Sequence, residues 1–66
     1  MSIVKDTYTI GKIVATIITL FNMNSLQETS LKNYVKLEQA QWIEKCKEES
    51  EIQAYILSKA NEIMKE

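Results

Sequence analysis

Histidine, arginine and proline are absent from this 66-residue sequence, and cysteine and glycine occur once each. Without histidine, no His-based serine or cysteine triad can form. A single cysteine excludes a disulfide within the chain and leaves too few thiolate and imidazole ligands for a structural zinc site. The one glycine stands alone in TIGKIV, which excludes a glycine-rich phosphate loop. We therefore expect a protein that is not an enzyme and that has no cofactor and no metal site.

The charge balance is close to zero. Eight basic residues, all of them lysine, stand against nine acidic residues, and the net charge at pH 7 is −1. Such a chain has no strong field to steer it toward phosphate or anionic lipid. Arginine, the side chain that forks onto phosphate and guanine edges, is missing, which argues against specific nucleic-acid recognition.

The N-terminal residues MSIVKDTY lack the basic, apolar and small-residue succession of a secretory signal. A lone thiol agrees with a reducing compartment, so we expect a cytoplasmic protein. The many Ile, Lys and Asn residues, without Arg, Pro or His, are typical of AT-rich coding DNA and hint at a phage or bacterial source.

The length of the chain predicts one helical domain over residues 1–66 with a marginal core. A chain this short buries only about 60% of the surface that it exposes when unfolded. Since neither a disulfide nor a metal can stabilise it, we expect very regular helix packing or association with a partner.

The stretch TIGKIVATIITLF, residues 9–21, decides the fold class. Its uncharged part ends at Phe21 and is shorter than the roughly 20 apolar residues that span a bilayer, so we predict no membrane span. A β-hairpin with a turn at Gly11 fits the composition, but the adjacent Ile17 and Ile18 break the alternation that a strand requires. The apolar residues instead recur at helical spacing, which predicts a helix.

The apolar side of this predicted helix is very wide. With Gly11 and Ala15, the apolar residues cover roughly 220° of the circumference at 100° per residue, and the remaining polar strip holds Lys12 and threonines. One neighbouring helix cannot cover such an arc, so we expect this helix to be the buried centre, in contact with at least two partners, either all from this chain or some from another chain. Gly11 and Ala15 either admit close approach of a neighbour or are merely tolerated.

Turn residues separate the first helix from the second. Asn22 and Asn24 suit turn positions, and Ser25 with Glu28 has the spacing of a capping box. We therefore predict a turn near residues 22–25. The residues that follow are rich in Lys, Glu, Gln, Leu and Ala, which favour helix.

The polar tract KEESE, residues 47–51, divides the later apolar residues into two faces. Ser50 and Gln53 again have capping-box spacing, which favours a break and a third helix. The alternative is one helix that continues through the tract with a heptad-type seam. Both versions predict an all-α fold, a small helical bundle of two or three helices that is completed by self-association. The predicted helices cover about 7–22, 26–48 and 50–65.

Trp42 and Tyr34 share one face of the second helix, and such residues often anchor protein interfaces. In a short chain they also commonly fill the core, and both interpretations stay open here. The same holds for Tyr55 and Lys59, whose stem can lie along the apolar face. Leu37 points away from that face and, with the wide first helix, indicates self-association, most commonly as a symmetric dimer. The candidate interface residues are Ile10, Gly11, Val14, Ile18, Phe21, Tyr34, Leu37, Trp42 and Tyr55.

Cys46 is expected to be a small core residue, since neighbouring glutamates disfavour a reactive thiolate. The glutamates themselves alternate with lysines at helical pair spacing and predict a solvated face rather than a cation site. These residues are Glu44, Lys45, Lys47, Glu48, Glu49 and Glu51.

By exclusion, the sequence predicts a small helical protein that acts by binding another protein, as an inhibitor, antirepressor or adaptor. One alternative is a structural subunit or scaffold of a larger assembly. Another is nucleic-acid binding through Lys32 and Lys36 with Tyr34 between them, and a third is an interfacial membrane peptide over residues 10–21. The residues predicted to be buried in the assembled form are Ile10, Ile13, Val14, Ile17, Phe21, Leu31, Val35, Trp42, Ile56 and Ile63.

Overall fold

The computed structural model describes residues 7–66 and contains three helices, α1 (Thr7–Leu20), α2 (Ser25–Lys45) and α3 (Glu49–Lys65). Over this range there is no strand, so the all-α prediction is confirmed, and so is the break before the third helix. The predicted bounds were close but not correct: α1 ends at Leu20 rather than at residue 22, and α2 ends at Lys45 rather than at residue 48.

The end of α1 is set by Asn22, whose φ of 53° lies in the left-handed region. Asparagine tolerates this conformation better than most residues. Two backbone bonds close the turn, from Met23 N to Ile18 O at 3.1 Å and from Asn22 N to Thr19 O at 3.1 Å. This is the Schellman pattern, in which the residues at the positions of Ile18 and Met23 are commonly hydrophobic, and both side chains pack against the core. Asn22 therefore stops α1 and reverses the chain.

Asn24, not Ser25, caps α2, which corrects the sequence prediction. Gln27 N donates to Asn24 Oδ1 at 2.8 Å, and Asn24 N donates to Gln27 Oε1 at 2.9 Å. Both registers have capping-box spacing, but the turn at Asn22 leaves only Asn24 with the extended backbone that a cap requires. Glu28 therefore takes no part in the cap. It forms an ion pair with Lys32 instead, with 2.9 Å between Glu28 Oε2 and Lys32 Nζ.

Replacing Asn24 with alanine is expected to lower the free energy of unfolding by about 1 kcal/mol, the usual loss for a cap residue. Ser25→Ala is the matched control and should change stability by less than about 0.5 kcal/mol, since Ser25 is an exposed residue of the first turn. Urea unfolding followed by circular dichroism measures both. Equal losses in the two variants would contradict the observed cap.

The connection between α2 and α3 is held by a glutamate rather than by the predicted Ser50 and Gln53. Glu51 Oε1 accepts hydrogen bonds from Lys47 N at 2.6 Å and from Glu48 N at 3.0 Å. A carboxylate in the first turn also interacts favourably with the helix dipole. Because one charged acceptor satisfies two backbone donors, α3 begins at Glu49, and Ser50 lies within its first turn.

All three helices pack against one another around a single cluster of buried residues. Nine of the ten predicted core residues are buried, and Phe21 is only half-buried because it lies in the turn after α1. Cys46 is buried, as predicted. The buried residues are Ile10, Ile13, Val14, Ile17, Leu31, Val35, Trp42, Cys46, Ile52, Ile56, Ala60 and Ile63.

The first helix does contact two partners, as its wide apolar arc predicted, and both belong to the same chain. It is not the enclosed centre of the molecule, however. Tyr8 and Leu20 are each 73% exposed, and Gly11 and Ala15 are exposed as well. In a bundle of three helices, each helix covers only part of its neighbour, so the outward side of α1 stays open.

Candidate functional site

Trp42 lies at the centre of an aromatic cluster between α2 and α3. Its ring centroid is 5.7 Å from that of Tyr34, at an angle of 58°, and 6.0 Å from that of Tyr55, with the planes 7° apart. Trp42 is only 4% exposed, whereas Tyr55 is 52% exposed. Trp42 therefore fills the core, and Tyr55 stacks on it from the solvent side.

The side chain of Lys59 lies along this cluster, in agreement with the prediction that its long methylene stem can cover the apolar face. Its Nζ lies 5.3 Å from the centroid of the Tyr34 ring, within the range of a cation–π interaction. The same Nζ is 3.2 Å from Glu62 Oε1. The ammonium is therefore held between an aromatic ring and a carboxylate.

The hydroxyl of Tyr34 stays protonated over the neutral range. Burial raises the pKa of Tyr34 above its ordinary value of 10.0, the Glu38 carboxylate raises it further, and the Lys59 ammonium lowers it. A neutral phenol keeps its O–H as a hydrogen-bond donor. Tyr34 can thus donate to a partner at the edge of the aromatic cluster.

Leu37 is 78% exposed and follows Tyr34 by three residues, so the two side chains are neighbours on the surface of α2. It lies on the side of Tyr34 away from Trp42, since five residues at 100° each place Leu37 about 140° from Trp42. We call Tyr34, Trp42 and Tyr55, with Leu37 at the edge beside Tyr34, the aromatic face. Leu26 is also exposed, but it lies about 16 Å further along α2 at 1.5 Å per residue and does not belong to this face.

A second exposed surface runs along α1. Tyr8, Lys12, Ala15 and Thr19 are all exposed, and at 100° per residue they fall within about 60° of one another on the helix. We call these four residues the outer face of α1. A Cβ added to the neighbouring Gly11 would meet no atom within 4 Å, so within residues 7–66 no other helix approaches closely there.

Two grooves flank the outer face of α1. The groove between α1 and α3 has a volume of about 550 Å³, and Leu20 and Leu57 line it. The groove between α1 and α2 has a volume of about 530 Å³, and Ala15, Ile18 and Lys36 line it. The first groove continues the exposed surface of α1 onto the apolar Leu57 but also contains Glu49, and the α2 wall of the second groove carries the charged residues Glu28, Lys32 and Lys36.

Two threonines of α1 have hydroxyl groups that are already hydrogen-bonded within the helix. Thr16 Oγ1 donates to Lys12 O at 2.9 Å, and Thr19 Oγ1 donates to Ala15 O at 3.0 Å. Their hydroxyl hydrogens are thus used within the helix. The single charge on α1 is that of Lys12, whose Nζ lies 5.5 Å from the centroid of its neighbour Tyr8.

The structure divides the predicted interface residues between the core and these two surfaces. Ile10, Val14 and Trp42 are buried, and Ile18, Phe21 and Tyr34 are half-buried. Gly11, Leu37 and Tyr55 are exposed. Tyr8 is a surface residue that was not predicted from the sequence. Its spacing from Lys12, Ala15 and Thr19, at four, seven and eleven residues, was the signal that could have found it.

Lys32, Lys36 and Tyr34 do not form one surface. The two lysines line the groove between α1 and α2, while Tyr34 packs against Trp42 and Lys59. The glutamates near the start of α3 do not assemble a site either, since residues 7–66 contain no group of three His, Cys, Asp or Glu able to hold a metal ion.

The described residues define a small three-helix bundle with exposed apolar surface on α1 and on the α2–α3 side. None of the helices in this part of the chain has the length and apolar character needed to cross a membrane. Comparison of the chain with protein-family models, curated proteins and solved structures found no match.

Proposed function

We propose that this chain is a small cytoplasmic protein, not an enzyme, that acts by binding another protein, as an inhibitor, antirepressor or adaptor of phage or bacterial origin. We further propose that it self-associates. The observation that supports partner binding best is the aromatic face, where the half-exposed Tyr55 stacks on the buried Trp42.

Tyr55 has the properties of an interface anchor. Tyrosine is among the residues that contribute most to binding energy in protein interfaces. Because its ring is held parallel to Trp42 at 6.0 Å, little side-chain freedom remains to be lost on binding. A partner that covers Tyr55 gains apolar contact without reorganising the bundle.

The residues of the aromatic face are arranged as in known protein interfaces, with an apolar centre and a polar rim. Leu37, at the Tyr34 edge of the aromatic face, adds exposed apolar area. Glu38 and the Lys59–Glu62 ion pair lie around Tyr34. These groups can form hydrogen bonds at the rim, where charged pairs contribute mainly to specificity.

Loss of Leu37 and Tyr55 together is expected to weaken partner binding at least 10-fold without unfolding the chain, because hot-spot truncations typically remove more than about 1.4 kcal/mol. Immobilised wild-type chain, the Leu37→Ala/Tyr55→Ala variant and the Leu26→Ala control are each exposed to bacterial lysate. A protein retained by the wild type and the control is purified, and its dissociation constant is measured for all three.

Equal affinity for the wild type and the double variant would show that the aromatic face does not bind the partner. Failure of the wild type to retain any protein more strongly than the double variant would also contradict the proposal. Circular dichroism of each variant verifies that the helices are intact.

A structural subunit of a larger assembly is the second candidate, and the exposed apolar residues of α1 favour it. Tyr8 on the outer face and Leu20 in the groove toward α3 are large apolar residues at opposite ends of that helix and are both 73% exposed. A regulator should purify as a folded species, whereas a subunit without its assembly should aggregate or lose fixed side-chain packing. Near-ultraviolet circular dichroism of the purified chain distinguishes the two.

A further inference from the structure

We propose that two copies of this chain form a two-fold dimer through the outer face of α1, with the two α1 helices antiparallel and crossing between Lys12 and Ala15. The inference rests on the self-association in the proposed function and adds the surface and the orientation. It is independent of partner binding by the aromatic face.

The low charge of the outer face determines which kind of surface can cover it. Lys12 is the one charged residue of α1, and this helix carries no carboxylate. A partner surface with several charges would lose their hydration against α1 and find there only Lys12 to pair with, which is unfavourable; the charged groups of the grooves, Glu28, Lys32, Lys36 and Glu49, lie to either side of this contact. A second copy of α1 presents an equally neutral surface.

The order of side-chain sizes along the outer face selects the antiparallel orientation. The large residues Tyr8 and Lys12 come first, and the small residues Ala15 and Thr19 follow at spacings of four, three and four. An inverted copy brings Tyr8 opposite Thr19 and Lys12 opposite Ala15, so that large side chains meet small ones. Such complementary packing avoids both voids and clashes.

The parallel orientation lacks these advantages. It would bring Tyr8 against Tyr8 and the ammonium of Lys12 against that of its copy, and like charges in contact are destabilising. It would also leave a gap at Ala15, where two methyl groups face each other. The sequence of the outer face is therefore self-complementary in one direction only.

The polar atoms of the outer face tolerate being covered. The hydroxyls of Thr16 and Thr19 already donate within α1, so burial leaves no hydroxyl hydrogen without an acceptor. The ammonium of Lys12 can remain at the rim over Tyr8 while its stem lies across Ala15 of the other copy. The open space at Gly11 admits a close backbone.

A stable dimer must bury more area than the outer face of α1 offers, so the two flanking grooves must contribute as well. A standard interface buries about 800 Å² on each partner, which is more than one side of a helix about 21 Å long and 10 Å wide can supply. The groove walls at Leu20 and Leu57, and at Ile18 and Lys36, supply the remainder. The dimer therefore accounts for both grooves.

Disulfide trapping tests the orientation in a Cys46→Ala background. Tyr8→Cys and Thr19→Cys are made separately, oxidised alone and oxidised as a mixture. In the antiparallel dimer, residue 8 of one copy faces residue 19 of the other, within the roughly 7 Å that a disulfide requires. Residues 8 and 8, or 19 and 19, are about 16 Å apart, at 1.5 Å per residue. Only the mixture should form a covalent dimer.

Sedimentation equilibrium over a wide dilution series tests whether the outer face of α1 forms the dimer interface. The variants used here keep the Tyr8 ring, which Tyr8→Cys removes. Ala15→Lys places a lysine opposite Lys12 of the other copy and is expected to raise the dimer dissociation constant at least 100-fold. The matched control is Ala54→Lys, the same substitution at an exposed alanine of α3, which should leave the dissociation constant unchanged. Circular dichroism verifies that both variants are folded.

The outcomes separate the inference from the proposed function. Covalent dimers from each single variant alone, or a wild-type dimer unaffected by Ala15→Lys, would overturn the antiparallel α1 interface and leave self-association standing. A wild-type chain that is monomeric at every concentration would overturn both, while the binding test of Leu37→Ala/Tyr55→Ala would still decide partner binding.

Discussion

Replacing Trp42 with alanine is expected to unfold the isolated chain at room temperature. The indole is 4% exposed and contacts both Tyr34 and Tyr55. Truncating a buried tryptophan typically removes about 3–5 kcal/mol of stability, and a core of this size rarely supplies more than about 3–5 kcal/mol in total. The loss is therefore comparable with the whole stability of the chain.

Far-ultraviolet circular dichroism with a urea titration measures this effect. The control is Tyr55→Ala, which removes a ring from the same stack but from its half-exposed side and should leave a folded chain with a lower urea midpoint. A Trp42→Ala variant that unfolds cooperatively at the wild-type midpoint would show that the indole is not part of the stabilising core.

Leu31→Ala and Leu37→Ala are expected to differ in stability by several kcal/mol, although they make the same chemical change in the same helix. Leu31 is 0% exposed, whereas Leu37 is 78% exposed. Removing a buried leucine side chain loses its transfer free energy and leaves a cavity, about 2.7–5 kcal/mol in total. Removing an exposed one alters stability by less than about 0.5 kcal/mol.

Because intrinsic helix propensity changes equally in both variants, the difference between them reports burial alone. Urea unfolding of the wild type and Leu37→Ala gives one free-energy change, and the same titration gives that of Leu31→Ala when all three share one slope with denaturant; a Leu31→Ala chain that is already unfolded without urea has lost the whole stability. Similar changes for Leu31→Ala and Leu37→Ala would mean that α2 does not present Leu31 to the core.

The helices were predictable because hydrophobic periodicity is a local signal. Ile10, Ile13, Val14 and Ile17 recur at helical spacing, and all four are buried. The caps were less predictable, since Asn24–Gln27 and Ser25–Glu28 have the same spacing in adjacent registers. What distinguished them was the left-handed Asn22, a backbone conformation that depends on how the whole turn closes.

The candidate surfaces were predictable only as a set of residues. Trp42, Tyr34 and Tyr55 all had helical spacing consistent with either a core or an interface. Which ring lies inside depends on how α2 and α3 are rotated against each other, and this relation is not local. Only the packed structure shows that Trp42 is enclosed and that Tyr55 stacks on it from the solvent side.

The sequence by itself determined the fold class, the approximate extents of the helices and nearly all of the core, because each follows from the periodicity of apolar residues along one helix. The tertiary structure alone decided which parts of the wide apolar arc of α1 are covered. Burial is a property of pairs of helices: α2 and α3 cover Ile10 and Ile17 but leave Tyr8 and Gly11 exposed.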